Sequence, residues 1–337
     1  MLTTISSSTD PVTQRPVGSA RTGKDLLGIA ELDRASILAL LDAAARWKRW
    51  LLRKPSEPTS LAPAPLAGRR ILTLFYENST RTMQSFHVAA RSLGAEVADL
   101  PVSRSSVAKG ESLLDTLHTV RALGYDCVII RHPATGAARF AAQHVDCPVV
   151  NAGDGTGEHP TQALLDALTV LEHKGHIEGL RITIIGDIRH SRVARSDVHL
   201  FCKLGAEVRL AGPATLLPHR DSFPGVKVFD RREQALEQSD VVIALRVQRE
   251  RQDGVFLAGA GEYRRFWGLD LATLERLCPD ALIMHPGPVN RGVELESEVL
   301  ASPRCVVGEQ VQNGVAARMA VLAHLLAAEE GPRCSGF

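Results

Sequence analysis

The five residues Leu-Gly-Ala-Glu-Val occur twice in this chain, at 93–97 and at 204–208. Each copy closes a run with helical spacing: Met83, Phe86, Ala90 and Leu93 before the first, Ala194, Val198 and Phe201 before the second. Each run in turn follows a short, continuously apolar stretch, "ILTLFY" at 71–76 and "LRITIIGD" at 180–187. Such stretches suit strands buried on both faces of a parallel sheet. The correspondence continues. "CVIIRHP" (127–133) parallels "DVVIALRVQ" (240–248), each an apolar strand ending in an arginine, and "CPVVNAGDG" (147–155) parallels "DALIMHPGP" (280–288), each a strand entering a glycine-bearing turn. This order predicts an α/β chain of two similar domains, each a parallel sheet flanked by helices. Ligands of such sheets bind beyond the carboxyl ends of the strands, so the active site is expected in a cleft between the domains.

At 337 residues the chain is long enough for two cores. Asp25 to about Leu52 reads as a helix before the first strand, with Ile37, Leu40, Leu41 and Ala44 on one face, and a proline-rich connection follows. A formal charge of +1 gives no general pull toward nucleic acid or acidic membranes, and no apolar stretch is long enough to span a bilayer. The first 22 residues, rich in Ser, Thr and Pro, read as a mobile extension without the apolar centre of a secretory signal. Six scattered cysteines form neither a metal-ligand pattern nor a disulfide framework, which fits a reducing cytoplasm.

The polar clusters fall where strands hand over to helices or turns. "FYENSTRT" (75–82) places Ser79, Thr80, Arg81 and Thr82 at a helix start, where unpaired N–H groups and the positive end of the helix dipole suit a phosphate. A capping turn beside a solvated arginine is the alternative, although a cap needs only one hydroxyl. Neither a G-x-x-x-x-G-K-[ST] loop nor a G-x-G-x-x-G turn after a strand is present, so the phosphate belongs to a small substrate rather than ATP or a dinucleotide. Arg131 ends a strand as a ligand or as half of a surface ion pair. In "GDGTGEHPTQALLD" (153–166), three glycines precede His159 and Gln162, which share the first turn of a helix. Arg189, Arg192 and Arg195 follow a strand as cleft residues or a solvated helix face. Arg246 and Gln248 alternate in an extended segment and so face one side. "SRSSVAKGES" (103–112), with Ser105 and Lys109, reads by itself as an exposed polar loop. "HPGPVNRGVE" (285–294) has the composition of an irregular backbone that can aim amides and carbonyls at a ligand.

Together these stretches resemble the catalytic chains of aspartate carbamoyltransferases. "FYENSTRT", "SSVAKGES", "RHP", "HPTQALLD", "GDIRHSRVARS", "RVQRE" and "HPGPVNRGVE" stand in that family's order, across roughly residues 25–330. The resemblance implies transfer of a carbamoyl group from carbamoyl phosphate to L-aspartate, for pyrimidine synthesis, with no cofactor and no metal. It implies a carbamoyl-phosphate domain over 23–158, an aspartate domain over 159–309, and a last helix, 310–330, packing back on the first. By matching position Ser79, Thr80, Arg81 and Thr82 hold the phosphate. Thr82, Arg131 and His159 donate to the carbamoyl oxygen, and Gln162 orients the carbamoyl amide. Backbone groups of Pro286, Gly287 and Pro288 meet the carbamoyl group and the amine, while Arg192, Arg246, Gln248 and Lys109 take the aspartate carboxylates. The family builds homotrimers in which Ser105 and Lys109 reach into a neighbour's site, some of them in larger assemblies with a regulatory or dihydroorotase-like chain. Asn78 stands where many members have proline. Val193 replaces a hydroxyl residue found in some.

Two other readings make distinct forecasts. An ornithine carbamoyltransferase carries His-Cys-Leu-Pro where this chain has His285-Pro286-Gly287-Pro288, lacks a counterpart of Lys109, and must receive an ammonium group. A non-catalytic scaffold subunit would have lost ligands, and every expected ligand type is present here.

Overall fold

A computed structural model describes residues 25–53, 64–100, 110–247 and 259–327. The first strand–helix series comprises α1 (Arg34–Leu52), β1 (Arg70–Phe75), α2 (Thr80–Ser92), β2 (Glu96–Leu100), α3 (Leu113–Leu123), β3 (Cys127–His132), α4 (Ala137–His144) and β4 (Val149–Asp154). Helix α5 (Pro160–Lys174) leads into the second: β5 (Arg181–Ile185), α6 (Arg192–Lys203), β6 (Glu207–Ala211), β7 (Lys227–Phe229), α7 (Arg232–Leu236), β8 (Val241–Ala244), α8 (Ala260–Trp267), α9 (Leu271–Leu277), β9 (Leu282–Met284) and α10 (Ser297–Ala301). The last described helix is α11 (Val307–Leu326).

Both sheets are wholly parallel, ordered β2-β1-β3-β4 and β7-β6-β5-β8-β9. With β7 set aside, the second order repeats the first, as the sequence echo predicts. The twin Leu-Gly-Ala-Glu-Val segments are twin helix stops. Ala95 N–H bonds Ala90 O at 3.0 Å and Ala206 N–H bonds Phe201 O at 3.0 Å, with Gly94 and Gly205 left-handed at φ +87° and +86°. In each sheet the strand order reverses at the centre, between β1 and β3 and between β5 and β8, which is where side chains after the strands can converge on a ligand.

The alternation of the strands explains the layers. Ile71 and Ile129 face a core shared with α1, α2, α5 and α11, whereas Leu72, Leu74, Val128 and Ile130 pack on Leu117, Val120, Ala138 and Ala141 of α3 and α4. In the second sheet Ile182, Ile184 and Ile243 join Val198 and Phe201 of α6, while Ile185, Val242 and Ile283 cover α7 to α9. The first of these cores is continuous through both sheets. Helix α11 packs on α1, α2 and α5, although its chain arrives from the second sheet. Lys203, at the end of α6, donates to the carbonyls of Ile29, Ala30 and Leu32 at 2.6–2.8 Å, fastening the two halves at a second point.

The expected helix from Asp25 is shorter than the sequence reading gave. Asp33 Oδ1 accepts from Ser36 N–H at 2.7 Å and caps α1 at Arg34. Ahead of it Leu26 runs parallel to β4, bonding Val149 O and Asn151 N–H at 2.9 Å each. Those apolar residues mark a sheet edge, which a helical count over so short a stretch cannot distinguish. Among the described residues no helix is long and apolar enough to cross a membrane.

Candidate active site

Residues 79–82 open helix α2, as the sequence predicts. Ser79 is the N-cap of α2 but makes no side-chain cap bond, and the first turn carries no acidic residue, so the positive end of that helix is left for another anion. Thr82 is buried and Arg81 exposed. The Arg81 guanidinium crosses to the 285–288 turn: a Cβ on Gly287 would stand 2.9 Å from its Cζ and Nη2. Only glycine allows that approach, and its φ of +66° has the same preference. Arg81 and Arg246 both lie close enough to His285 to add to burial in depressing its pKa to about 3. His285 Nδ1 accepts from Gly287 N–H at 2.8 Å, which bends the turn over the neutral ring.

A second group gathers around Glu77. Its Oε2 is 2.5 Å from Arg192 Nη2, at the start of α6, and 3.4 Å from Arg131 Nε, at the end of β3. One carboxylate therefore joins the arginines of both sheets. Arg131 also donates to Ala152 O at 3.0 Å. Arg192 is only 4% exposed, while Arg189 stands in solvent, so one of the three clustered arginines faces inward. It lies against Gly153, where a Cβ would come within 2.8 Å of its Nε.

His159 begins α5 ahead of Pro160, which is suited to the first helical position. It is buried, its backbone N–H bonds Ser196 Oγ at 2.9 Å, and neither ring nitrogen has a hydrogen-bond partner. Burial first, then the charges of Arg131, Arg318 and Arg192, hold its pKa well below the ordinary 6.5. The ring is a neutral imidazole, competent to donate one hydrogen bond to a developing oxyanion. Gln162, one turn on, is buried and donates Nε2 to both oxygens of Asp166 at 3.2 Å.

The structure thus brings together Ser79, Thr80, Arg81, Thr82, Gly287 and Pro288 on one side, and Arg131, His159, Gln162 and Arg192 on the other, with Arg246 near His285. Ser105, Lys109 and Gln248 lie outside the described residues. Sequence reasoning assigned no part to Glu77, Asp166, Ser196 or Gln310. Glu77 carried a signal, an acid inside the "FYENSTRT" cluster. Gln310 carried none, since it meets Asp166 across 144 residues of chain. Among the described residues no group of three His, Cys, Asp or Glu side chains could hold a metal. A surface hollow of 570 Å³ bounded by Arg232, Arg264 and Glu296 contains none of these residues. Arg232 and Arg264 already bond Gly268 O and Glu296, so it offers no comparable convergence.

Known proteins match the chain over nearly its whole length. Residues 24–172 fit the family model described as the aspartate/ornithine carbamoyltransferase carbamoyl-P binding domain, and residues 178–325 that of the Asp/Orn binding domain. The aspartate carbamoyltransferase catalytic subunit of Acetivibrio thermocellus is 51% identical over 308 residues, 91% of this chain and 97% of that protein. The subunit of the same name from Sorangium cellulosum is 52% identical, covering 91% of this chain and 94% of that one. A crystal structure of Trypanosoma cruzi aspartate transcarbamoylase in complex with carbamoyl aspartate and phosphate superposes with a TM-score of 0.81 at 31% identity, covering 90% of this chain and 96% of that one. The duplicated parallel sheets are therefore those of a known fold, and the chain belongs to the aspartate/ornithine carbamoyltransferase family.

Proposed function

We propose that this chain transfers the carbamoyl group of carbamoyl phosphate to the amine of L-aspartate, giving N-carbamoyl-L-aspartate and phosphate for pyrimidine synthesis in the cytoplasm. The observation that carries it is the convergence of Arg81 on Gly287 and of Arg131 and Arg192 on Glu77, which pairs an anion site after β1 with cations supplied by both sheets. The relatives named aspartate carbamoyltransferase support the same reading, as does the Trypanosoma cruzi enzyme in complex with carbamoyl phosphate and aspartate, with its TM-score of 0.80.

The chemistry needs no covalent nucleophile. The aspartate amine attacks the carbonyl carbon of the mixed anhydride, a tetrahedral oxyanion forms, and the carbon–oxygen bond to phosphate breaks, the amine's proton leaving with the phosphate. In our assignment residues 23–158, with the helix over 310–330, bind carbamoyl phosphate, and residues 159–309 bind aspartate. Helix α5 is the wall common to both, since it touches α1 and α11 on one side and α6 on the other. Ser79, Thr80, Arg81 and Thr82 grip the phosphate at the start of α2. Thr82, Arg131 and neutral His159 donate to the oxyanion, where one preorganised donor contributes about 2.7–4 kcal/mol. Gln162 and the 286–288 carbonyls receive the carbamoyl –NH2. Arg192 and Arg246, with Gln248 and Lys109, hold the two aspartate carboxylates. Alignment of two substrates in such a cleft is worth ~7–11 kcal/mol.

Ornithine would bring its side-chain cation beside the guanidinium groups of Arg192 and Arg246, so it is expected to be inert. A colorimetric assay with each acceptor in turn checks this, and equal turnover of both would remove the assignment. We also propose that the working form is a homotrimer in which Ser105 and Lys109 complete a neighbour's site. Lys109→Ala and Arg81→Ala proteins should each be nearly inactive, yet regain part of the activity when their subunits are exchanged. Proven hybrids with no recovery would confine Lys109 to its own chain.

A further inference from the structure

Asp166 takes no part in the reaction just described, yet side chains of two helices donate to it. It lies on α5 one turn beyond Gln162 and is wholly buried. Gln162 Nε2 donates to both of its oxygens at 3.2 Å, and Gln310 Nε2, from α11, donates to Oδ1 at 2.6 Å. An ionised carboxylate has acceptors only, so each amide must turn its nitrogen toward Asp166 and its oxygen away. The freed oxygen of Gln310 accepts from His285 N–H at 2.9 Å, at the entry of the 285–288 turn. Two ionisable side chains lie near Asp166 on neighbouring helices. Arg318 of α11 attracts it, and Asp197 of α6, buried with neither oxygen hydrogen-bonded, has its own pKa pushed well up by burial and by the neighbouring Asp166. Burial pushes Asp166 up to about 7, against the pull of the two amides and Arg318, so on the alkaline side of that value it is a carboxylate.

We propose that Asp166 is a positioning residue that fixes the polarity of two amides at once, so that the site accepts a transferable group only when that group ends in –NH2. The inference rests on the function proposed above. With its nitrogen committed to Asp166, Gln162 presents Oε1 as an acceptor. Gln310 meanwhile holds the turn whose carbonyls would take the second N–H of the carbamoyl group. Acetyl phosphate has the same size, charge and leaving group but ends in a methyl, which leaves both acceptors unpaired. A site built to bond a polar group rejects its apolar isostere for that reason, and one unpaired buried acceptor accounts for about a ten- to hundredfold preference.

In Asp166→Asn the isosteric amide can donate as well as accept, so Gln162 is free to reverse. The test uses the full-length protein, assayed on the alkaline side of the Asp166 midpoint. It compares kcat/KM for carbamoyl phosphate with the inhibition constant of acetyl phosphate and the dissociation constant of inorganic phosphate. The expected result is a loss of about ten- to a hundredfold in kcat/KM for carbamoyl phosphate, with both other constants changed less than about twofold. The double variant Gln162→Ala/Asp166→Asn should lose less than the product of the two single losses, because Asp166 acts in part through that amide and for the rest through Gln310. An unchanged preference in Asp166→Asn, losses that multiply in the double variant, or phosphate binding that weakens in parallel would each overturn the proposal. Should Asp166→Asn not fold, Gln162→Ala, which leaves no buried charge unpaired, must show the same loss of preference, and its retention also overturns the idea. Wild-type protein that forms no carbamoyl-aspartate would instead remove the proposed function itself.

Discussion

Arg81→Ala is expected to cost both binding and turnover. Its guanidinium sits between the open first turn of α2 and the 285–288 turn, where the proposed reaction has the leaving phosphate gripped while charge builds on it. Losing one charged hydrogen-bond donor weakens ground-state binding by about 1.5–3 kcal/mol, or roughly ten- to a hundredfold in KM for carbamoyl phosphate. The charge that accumulates as the carbon–oxygen bond breaks adds a kcat loss of about a hundred- to a thousandfold. Steady-state kinetics alongside calorimetric titration with inorganic phosphate separates the two effects. A variant with normal kcat would show that the phosphate leaves without help from this residue.

His159→Ala should fail differently. A hydrogen bond that strengthens only as the oxyanion forms leaves KM nearly intact and lowers kcat by about a hundred- to a thousandfold. The ionisation of the ring carries a second expectation. Burial and three nearby arginines hold its pKa well below 6.5, so the imidazole stays neutral as the pH falls through that value. The unfolded chain takes up a proton there and the folded chain does not, so this residue makes the protein less stable on acidification below 6.5. Nitrogen chemical shifts of a His159-labelled sample should report one protonated and one bare ring nitrogen throughout. An imidazolium signal just below neutrality, or an unchanged kcat in the alanine variant, would contradict the assigned role.

Much of the architecture was legible because parallel strands buried on both faces leave unbroken apolar runs. "ILTLF" and "RITII" need no partner to be recognised, and the repeated Leu-Gly-Ala-Glu-Val marks the same helix stop twice. The extended stretch before Asp33 departs from the expected helix because three or four apolar residues on a sheet edge have no period of their own. Within the site, residues in one turn, such as Ser79 to Thr82 or His159 with Gln162, declared themselves through local density of donors. Contacts made across the chain did not. Nothing local ties Glu77 to Arg192, or Asp166 to Gln310, because those pairings exist only once two sheets and α11 have been assembled.

The packing of α11 against α1 and α2 sets an order on synthesis. The half that we assign to carbamoyl phosphate is begun first on the ribosome, yet its core stays open until the last described helix has emerged. The intervening sheet of the other half can pair its own strands sooner. The second sheet is thus completed while the half begun before it still waits, its apolar face uncovered, for a segment translated after both sheets. Chaperone occupancy during translation should concentrate on that early face and fall away only when residues 307–326 clear the exit tunnel.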